Sequence, residues 1–255
     1  MTGWLASVAN EAEIALVRPA RPDILDLKNP ADGALGAWPV ERVAAVVRSL
    51  ADIPGRPRLS ATIGDLPMEP ATVLAAACAM AGTGVDFVKV GIAPDGDPLG
   101  CLDALGALAD EGAELIAVFF ADLWADLQPD SPPVTAAARA GFKGVMLDTA
   151  TKSRNLCSHR NPGRLAMFVG EARALGLVSG LAGSLRVSDI PSLRAVGADY
   201  LGFRGALCGI RDRTRAIDPE SVERVSIAMA APIGPPEPGA PHDPRYGGSR
   251  VGQPA

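Results

Sequence analysis

Short apolar segments rich in β-branched residues alternate along the chain with longer segments in which apolar residues recur at the helical period. This alternation is typical of strand–helix units arranged around a parallel sheet. The pattern predicts eight strands, at 4–8, 24–27, 58–63, 87–91, 115–120, 144–148, 179–182 and 200–203. It also predicts eight helices, near 10–17, 39–50, 70–82, 98–111, 133–140, 162–175, 189–196 and 218–229.

Eight such units favour a closed α/β architecture, a single (β/α)8 TIM barrel, over an open doubly wound sheet. An open sheet would usually carry a Gly-rich dinucleotide fingerprint after its first strand, where this chain has Ala9, Asn10 and Glu11. We therefore predict one catalytic barrel domain over residues 1–230. Residues 231–255 are dominated by Pro and Gly and are predicted to be a flexible tail, with a lid or a subunit clasp as the alternative.

The charge distribution argues against nucleic acid as a partner, because the net charge is -5 and no basic run is present. The four cysteines form no CxxC pair, which indicates a cytoplasmic location. No apolar stretch is long enough to predict a membrane span. Neither His159 nor His242 has a full set of ligands at metal-binding spacing, so we expect no metal.

Lysine is scarce in this chain, with four lysines against twenty arginines. Lys28, Lys89 and Lys152 are predicted to lie at or just beyond the ends of strands two, four and six, whereas Lys143 precedes strand six on the opposite face. Active sites of such barrels form at the carboxyl ends of the strands. A crowded lysine can lose its proton and attack a carbonyl, which an arginine cannot do. An amine-based site at the barrel mouth is therefore predicted, against the alternative of ordinary solvated loop lysines.

Carboxylates accompany these amines. Asp26 lies two residues before Lys28 and shares its face of the strand, and Asp148 ends strand six. Either can be a general acid or base, or can orient a lysine. Asp65 and Asp122 follow strands three and five, where turn or helix-capping roles are equally consistent with the sequence.

Small residues after strands seven and eight predict a phosphate site, because barrels often bind anions there on backbone N–H groups. The candidate residues are Gly183, Ser184, Gly202, Arg204 and Gly205. Arg204 is expected to add a charge-assisted contact to the phosphate.

Six segments carry a resemblance to a known family. They are DILDLKNPADGALGA (23–37), SATIGDLPMEPAT (60–72), DFVKVGI (86–92), MLDTATK (146–152), LAGSL (181–185) and GFRGALC (202–208). Together they resemble the (5-formylfuran-3-yl)methyl phosphate synthase family, also called 4-(hydroxymethyl)-2-furancarboxaldehyde-phosphate synthase. The similarity extends from about residue 4 to residue 229, and the KNPxxGxLGA and LDTxxK segments recur in the family's order and spacing.

The resemblance implies a TIM-barrel lyase that builds the furan precursor of methanofuran from two molecules of glyceraldehyde 3-phosphate, with loss of one phosphate and water. It implies that Lys28 forms the Schiff base and that Lys89 is the proton acceptor. Lys152 would complete the cluster, with Asp26 and Asp148 beside it. We expect no cofactor, a small-molecule triose phosphate as substrate, no membrane partner and a homo-oligomer.

Two departures from the family pattern are visible, the loop at 153–164 and the tail beyond 230. Neither contains a motif residue. Two other functions remain open. Another class I (Schiff-base) aldolase acting on a sugar phosphate would share the lysines but release an open-chain product. A binding or scaffolding barrel without catalysis is the second, although three lysines retained in a lysine-poor chain argue against it.

Overall fold

The computed structural model of the protein describes residues 2–124, 132–209 and 212–232. Eight strands form a closed barrel in the order β1 to β8, and every neighbouring pair is parallel. The predicted TIM-barrel fold is confirmed. The strands are β1 Gly3–Val8, β2 Ile24–Leu27, β3 Arg58–Thr62, β4 Phe87–Ile92, β5 Leu115–Phe120, β6 Gly144–Asp148, β7 Val178–Leu181 and β8 Tyr200–Phe203.

The helices pack around the outside of this barrel. Several begin with proline in the first turn, as Pro70, Pro98, Pro162 and Pro219 do, where the missing N–H costs nothing. The helices are α1 Glu11–Val17, α2 Val40–Leu50, α3 Pro70–Ala81, α4 Pro98–Asp110, α5 Pro132–Arg139, α6 Leu156–His159, α7 Pro162–Ala174, α8 Ile190–Val196 and α9 Pro219–Ala230. None of the helices within the described ranges is long and apolar enough to cross a membrane.

Helix α6 was not predicted and lies inside the 153–164 loop. The side chain of Asn155 caps it by accepting from the N–H of Ser158 at 3.1 Å. Four residues are too few to show a helical period, which is why the hydrophobic pattern missed this element. Short 3₁₀ turns also occur at Arg18–Ala20, Pro30–Asp32, Val187–Asp189 and Gly205–Leu207.

Two apolar layers fill the molecule. The larger one lies between the barrel wall and the helices and includes Leu25, Leu59 and Val90, which point outward. A second cluster, with Leu5, Phe87 and Met146 among its members, belongs to the residues that point into the barrel. Filling of the interior by side chains is general for this fold, so a ligand can enter only from an end.

The strand register places polar residues at one level of this interior. Asp26 pairs with Ser7 on β1 and with Ser60 on β3, and Thr62 pairs with Lys89 on β4. All five side chains are buried. The domain division at residue 230 stays a prediction, because most of the predicted tail, 233–255, lies outside the described residues.

Candidate active site

A cavity of about 510 Å³ opens at the carboxyl ends of the strands. This size is ordinary for a small-molecule site. The predicted amines Lys28, Lys89 and Lys152 all line it, together with Asp148. Lys143 lies at the opposite end of the barrel, as expected, and pairs with Glu114 at 3.3 Å.

Lys28 is the first residue after β2 and is only 6% exposed. Its Nζ lies 3.8 Å from Oδ2 of Asp148. Burial lowers the pKa of Lys28 from 10.5 to about 8, because the ammonium loses its hydration. Asp148 and Asp26 oppose this shift, and the charges of Lys89 and Lys152 add to it. About a tenth of Lys28 is therefore the neutral amine at pH 7, far more than for an ordinary lysine.

Asp148 is the last residue of β6 and binds two of the lysines. Its Oδ1 accepts from Nζ of Lys152 at 2.7 Å and from the N–H of Thr149 at 2.7 Å. Burial raises the pKa of Asp148, but the ammonium groups of Lys152 and Lys28 outweigh burial and hold that pKa well below its usual range. Lys152 also donates to the carbonyl of Thr149, so its ammonium is committed to the β6 end.

Lys89 lies deeper than predicted. The expectation that it sits at or beyond the end of its strand is wrong, because β4 continues to Ile92 and Lys89 is its third residue. Its Nζ donates to Oδ1 of Asp26 at 3.1 Å. Lys89 thus forms part of the cavity floor, with Lys28 and Lys152 nearer the mouth.

Asp26 is fully buried and accepts three hydrogen bonds. The hydroxyl of Ser60 donates to Oδ1 at 2.6 Å, and that of Ser7 donates to Oδ2 at 2.8 Å. Burial raises the pKa of Asp26, yet the charge of Lys89, that of Lys28 and these hydroxyls bring it below the ordinary value. Asp26 is therefore an anion held between the two lysines.

Neither serine was predicted from the sequence as a site residue. Each is a polar residue in an otherwise apolar strand, and each stands at the level of Asp26 in the strand register. A serine in an otherwise apolar strand could have indicated a partner for Asp26, because a buried hydroxyl in a strand needs a hydrogen-bond partner.

Asp65 and Asp122 hold loops in place. Asp65 accepts from the N–H of Ala34 at 2.6 Å and of Leu35 at 3.1 Å. Asp122 accepts from the N–H of Ala150 at 2.7 Å and from Thr151. The turn role, one of the two alternatives for these acids, accounts for their contacts.

The loops after β7 and β8 form one wall of the cavity, which includes Gly183, Ser184, Gly202 and Gly205. Gly183 and Ser184 both have positive φ, +107° and +51°. In the described part of the chain their N–H groups donate to no acceptor. A Cβ on Gly183 would lie 3.1 Å from the backbone nitrogen of Thr149, so a larger residue would crowd this wall.

Arg204 lines the cavity but is committed elsewhere, contrary to the expectation that it contacts a phosphate. Its Nη1 donates to Oε2 of Glu13 at 2.5 Å, and its Nη2 donates to Oε1 at 3.2 Å. The remaining N–H groups donate to the carbonyls of Ser7, Arg213 and Arg215. A guanidinium has five N–H donors, and all of them have protein acceptors here.

Among the described residues, Arg154, Arg186 and Arg213 also line the cavity. They were not predicted as site residues, because arginine is abundant in this chain and its position in a long loop carries no periodic signal.

No group of three or more His, Cys, Asp or Glu side chains suited to a metal ion occurs in the described ranges. His159 ends α6, and its Nε2 is buried without a hydrogen-bond partner there. His242 lies outside the described residues.

The solved structures that resemble this chain are also barrels. A 3-hexulose-6-phosphate synthase from Salmonella typhimurium aligns with a TM-score of 0.63 and 15% identity, covering 89% of this chain and 98% of that chain. A tetrameric deoxyribose phosphate aldolase from Aeropyrum pernix aligns with a TM-score of 0.58 and 17% identity, covering 89% of this chain and 88% of that chain. At these identities the likeness shows the fold alone.

Sequence relatives are closer. A protein from Methylorubrum extorquens, described as a candidate (5-formylfuran-3-yl)methyl phosphate synthase, is 42% identical over 232 residues, covering 89% of this chain and 91% of that protein. The (5-formylfuran-3-yl)methyl phosphate synthase of Methanopyrus kandleri is 35% identical over 239 residues, covering 89% and 98%. A model of the 4-HFC-P synthase family matches residues 4–226. The chain therefore belongs to the 4-HFC-P synthase family, whose named members are (5-formylfuran-3-yl)methyl phosphate synthases and lyase-type enzymes.

Proposed function

We propose that this protein condenses two molecules of glyceraldehyde 3-phosphate into (5-formylfuran-3-yl)methyl phosphate, through a Schiff base on Lys28, and so supplies the furan of methanofuran. Family membership supports the product. The substrate and the covalent intermediate rest on the chemistry of the cavity.

The observation that carries the proposal is the state of Lys28. It is a buried amine in a cavity of about 510 Å³, with its pKa lowered to about 8 by burial. A neutral amine can attack an aldehyde, and the neighbouring anions Asp148 and Asp26 then stabilise the cationic iminium.

Lys89 is suited to move protons. As an ammonium paired with Asp26 it donates a proton to the hydroxyl that leaves as water when the iminium forms. The neutral amine that results then removes a proton from the carbon next to the iminium. One residue thus serves as acid and then as base, and Asp26 keeps it oriented in both steps.

The reaction balances without an oxidant or a reductant. The enamine of the first triose phosphate expels phosphate, and the three-carbon fragment that remains joins the second triose phosphate. Loss of two water molecules then closes the furan, and hydrolysis frees Lys28. Two triose phosphates therefore yield one furan phosphate, one inorganic phosphate and two waters. Formation of the aromatic ring makes the last steps favourable.

The retained phosphate needs an anion site, and we assign it to the wall after β7 and β8. Unpaired N–H groups of Gly183 and Ser184 face no competing acceptor among the described residues, and Gly202 and Gly205 leave room for an approach to the backbone. Arg204 supports this wall through its contacts with Glu13 and backbone carbonyls, without a donor to spare for the phosphate.

Incubation with glyceraldehyde 3-phosphate tests the reaction. We expect equal amounts of inorganic phosphate and of a furan that absorbs in the ultraviolet. Phosphate release without ultraviolet absorbance would instead indicate an elimination or aldolase reaction at the same lysine. No reaction with any triose phosphate would leave a binding function.

A further inference from the structure

Arg213 is one of the described arginines of the cavity wall whose guanidinium keeps N–H groups without a protein acceptor. It follows β8 in sequence, yet its side chain reaches the loop after β2, where Nη2 donates to the carbonyl of Pro30 at 3.0 Å and to that of Gly33. It lines the same cavity as Lys28 and Asp148. In the barrel order, β2 is separated from β7 by β8 and β1, so this contact lies away from the Gly183–Ser184 wall.

The position of Arg213 is set by its neighbours. Arg204, held by Glu13, donates from Nε to the carbonyl of Arg213 at 2.8 Å and from Nη2 to the carbonyl of Arg215 at 2.8 Å. The segment that carries Arg213 is thereby fixed at its backbone, and the guanidinium is fixed at Nη2. A preorganised arginine binds an anion at a smaller entropic cost than a free one.

Most of the donors of Arg213 remain open. In the described ranges, its Nε and Nη1 donate to no protein acceptor. Its charge also interacts favourably with Asp148, which places it in the electrostatic field of the lysine cluster. A half-buried guanidinium with free N–H groups in a cavity wall is suited to a phosphate, because Nε–H and Nη1–H can each donate a charge-assisted hydrogen bond to an anion.

We propose that Arg213 forms a second phosphate site, which binds the phosphate of one of the two triose phosphates while the Gly183–Ser184 wall binds the other. The inference rests on the proposed function, because a reaction between two phosphorylated substrates brings two phosphates into one cavity. Arg204 is then a positioning residue for Arg213.

The test compares Arg213→Gln with Arg215→Gln. Both variants remove one arginine charge from the same segment, but the side chain of Arg215 is 70% exposed, and only its carbonyl takes part in this arrangement. Calorimetric titration with inorganic phosphate counts the sites without any turnover. We expect two phosphates per chain for the unaltered protein and for Arg215→Gln, and one for Arg213→Gln.

Steady-state kinetics give the second readout. Loss of a charge-assisted pair should raise KM for glyceraldehyde 3-phosphate in Arg213→Gln about 10- to 100-fold, with little change in kcat. Arg213→Lys keeps the charge and loses the additional N–H donors of the guanidinium, so its KM should lie between those of the unaltered protein and Arg213→Gln. If Arg213→Gln lowers the melting temperature in phosphate-free buffer, Arg213→Lys replaces it in the comparison. Phosphate binding and a KM equal to those of the unaltered protein in Arg213→Lys would then overturn the inference.

The outcomes separate this inference from the proposed reaction. If the unaltered protein makes no furan but Arg213→Gln still loses a phosphate, the anion site stands and the proposed reaction falls. If furan forms and Arg213→Gln keeps both its phosphate sites and its KM, Arg213 is only a clamp on the β2 loop and the inference is wrong.

Discussion

At the scale of single residues, the site depends on how closely each of three lysines is paired with one of two buried aspartates. Asp26 binds Lys89 at 3.1 Å, whereas Asp148 binds Lys152 at 2.7 Å and lies 3.8 Å from Lys28. Lys28 thus has the longest of the three ion pairs. An amine with weaker compensation loses its proton more easily when it is buried, which supports the proposal that Lys28 is the nucleophile.

The reactivity of Lys28 should follow its pKa. Labelling by a small amine-directed acylating reagent, measured by peptide mass, should increase with pH around a midpoint near 8, because only the neutral amine reacts. Asp148→Asn removes a charge that raises the pKa of Lys28, so its midpoint should move to lower pH. The exposed Asp103→Asn serves as the control, and an upward shift in Asp148→Asn would contradict this account.

Ser60 should matter for turnover through Asp26. Ser60→Ala removes a 2.6 Å hydrogen bond to this carboxylate and should lower kcat about tenfold, because Lys89 loses its orientation. Ser179→Ala is a matched control, since Ser179 is also a buried strand serine that donates to a carboxylate, that of Asp199 at 2.7 Å. Both variants should cost about 1 kcal/mol of stability. Equal kcat in the two variants would show that Ser60 is only structural.

Site residues could be predicted from the sequence where their residue type is rare in the chain. Lysine is rare here, so Lys28, Lys89 and Lys152 could be singled out, and all three line the cavity. Arginine is common, and the sequence could not show that all the donors of Arg204 are engaged whereas Nε and Nη1 of Arg213 are not. That difference depends on Glu13, nearly 200 residues away in sequence, and no local pattern contains it.

At the scale of elements, the loop between β2 and α2 positions the site. Asp65 accepts from the N–H groups of Ala34 and Leu35, and the N–H of Asn29 donates to the carbonyl of Gly36 at 2.8 Å. Thr62 donates to the same carbonyl at 3.0 Å. This loop therefore fixes the backbone immediately after Lys28.

Gly36→Ala should disrupt this loop. A Cβ at Gly36 would lie 2.3 Å from the carbonyl oxygen of Asn29, a distance that backbone atoms must move to relieve. We expect at least about a tenfold loss of kcat and a lower melting temperature, because displacement by 1 Å near a reacting group is costly. Unchanged activity in Gly36→Ala would mean that the loop does not position Lys28.

Gly170→Ala is the control for Gly36→Ala, and its effect on stability is a separate prediction. Gly170 lies within helix α7, is exposed, and has open space around its Cα. Alanine favours a helix interior over glycine, so this variant should be more stable by about 0.5–1 kcal/mol with unchanged turnover. Chemical denaturation measures the difference, and a loss of stability would contradict the helix geometry.

Element boundaries were predicted less well than element types. Hydrophobic period gives a strand its approximate span, but its last residue is decided by hydrogen bonds to neighbouring strands, which is why β4 extends past the predicted end to Ile92. Helix α6 was not predicted. It matters for the site, because the N–H of Leu156 donates to the carbonyl of Gly183 at 2.9 Å and so supports the proposed anion wall.

At the scale of the whole molecule, the closed barrel follows from repetition. Eight strand–helix units of regular period leave few other ways to bury both faces of a parallel sheet, so the fold could be predicted from the sequence alone. Closure brings residues far apart in sequence to one mouth. The homo-oligomer and the cytoplasmic location stay predictions, because they depend on contacts and surroundings beyond one chain. The flexible tail also stays a prediction, because most of it lies outside the described residues.

The central claim is a covalent bond between substrate and Lys28. Borohydride reduction in the presence of glyceraldehyde 3-phosphate, followed by peptide mass analysis, tests it most directly, with Lys28→Arg as the variant that keeps the charge and lacks the nucleophile. The account predicts a mass increase on the peptide that contains Lys28 and no trapping or furan formation in Lys28→Arg. Trapping at another lysine, or full turnover by Lys28→Arg, would contradict it.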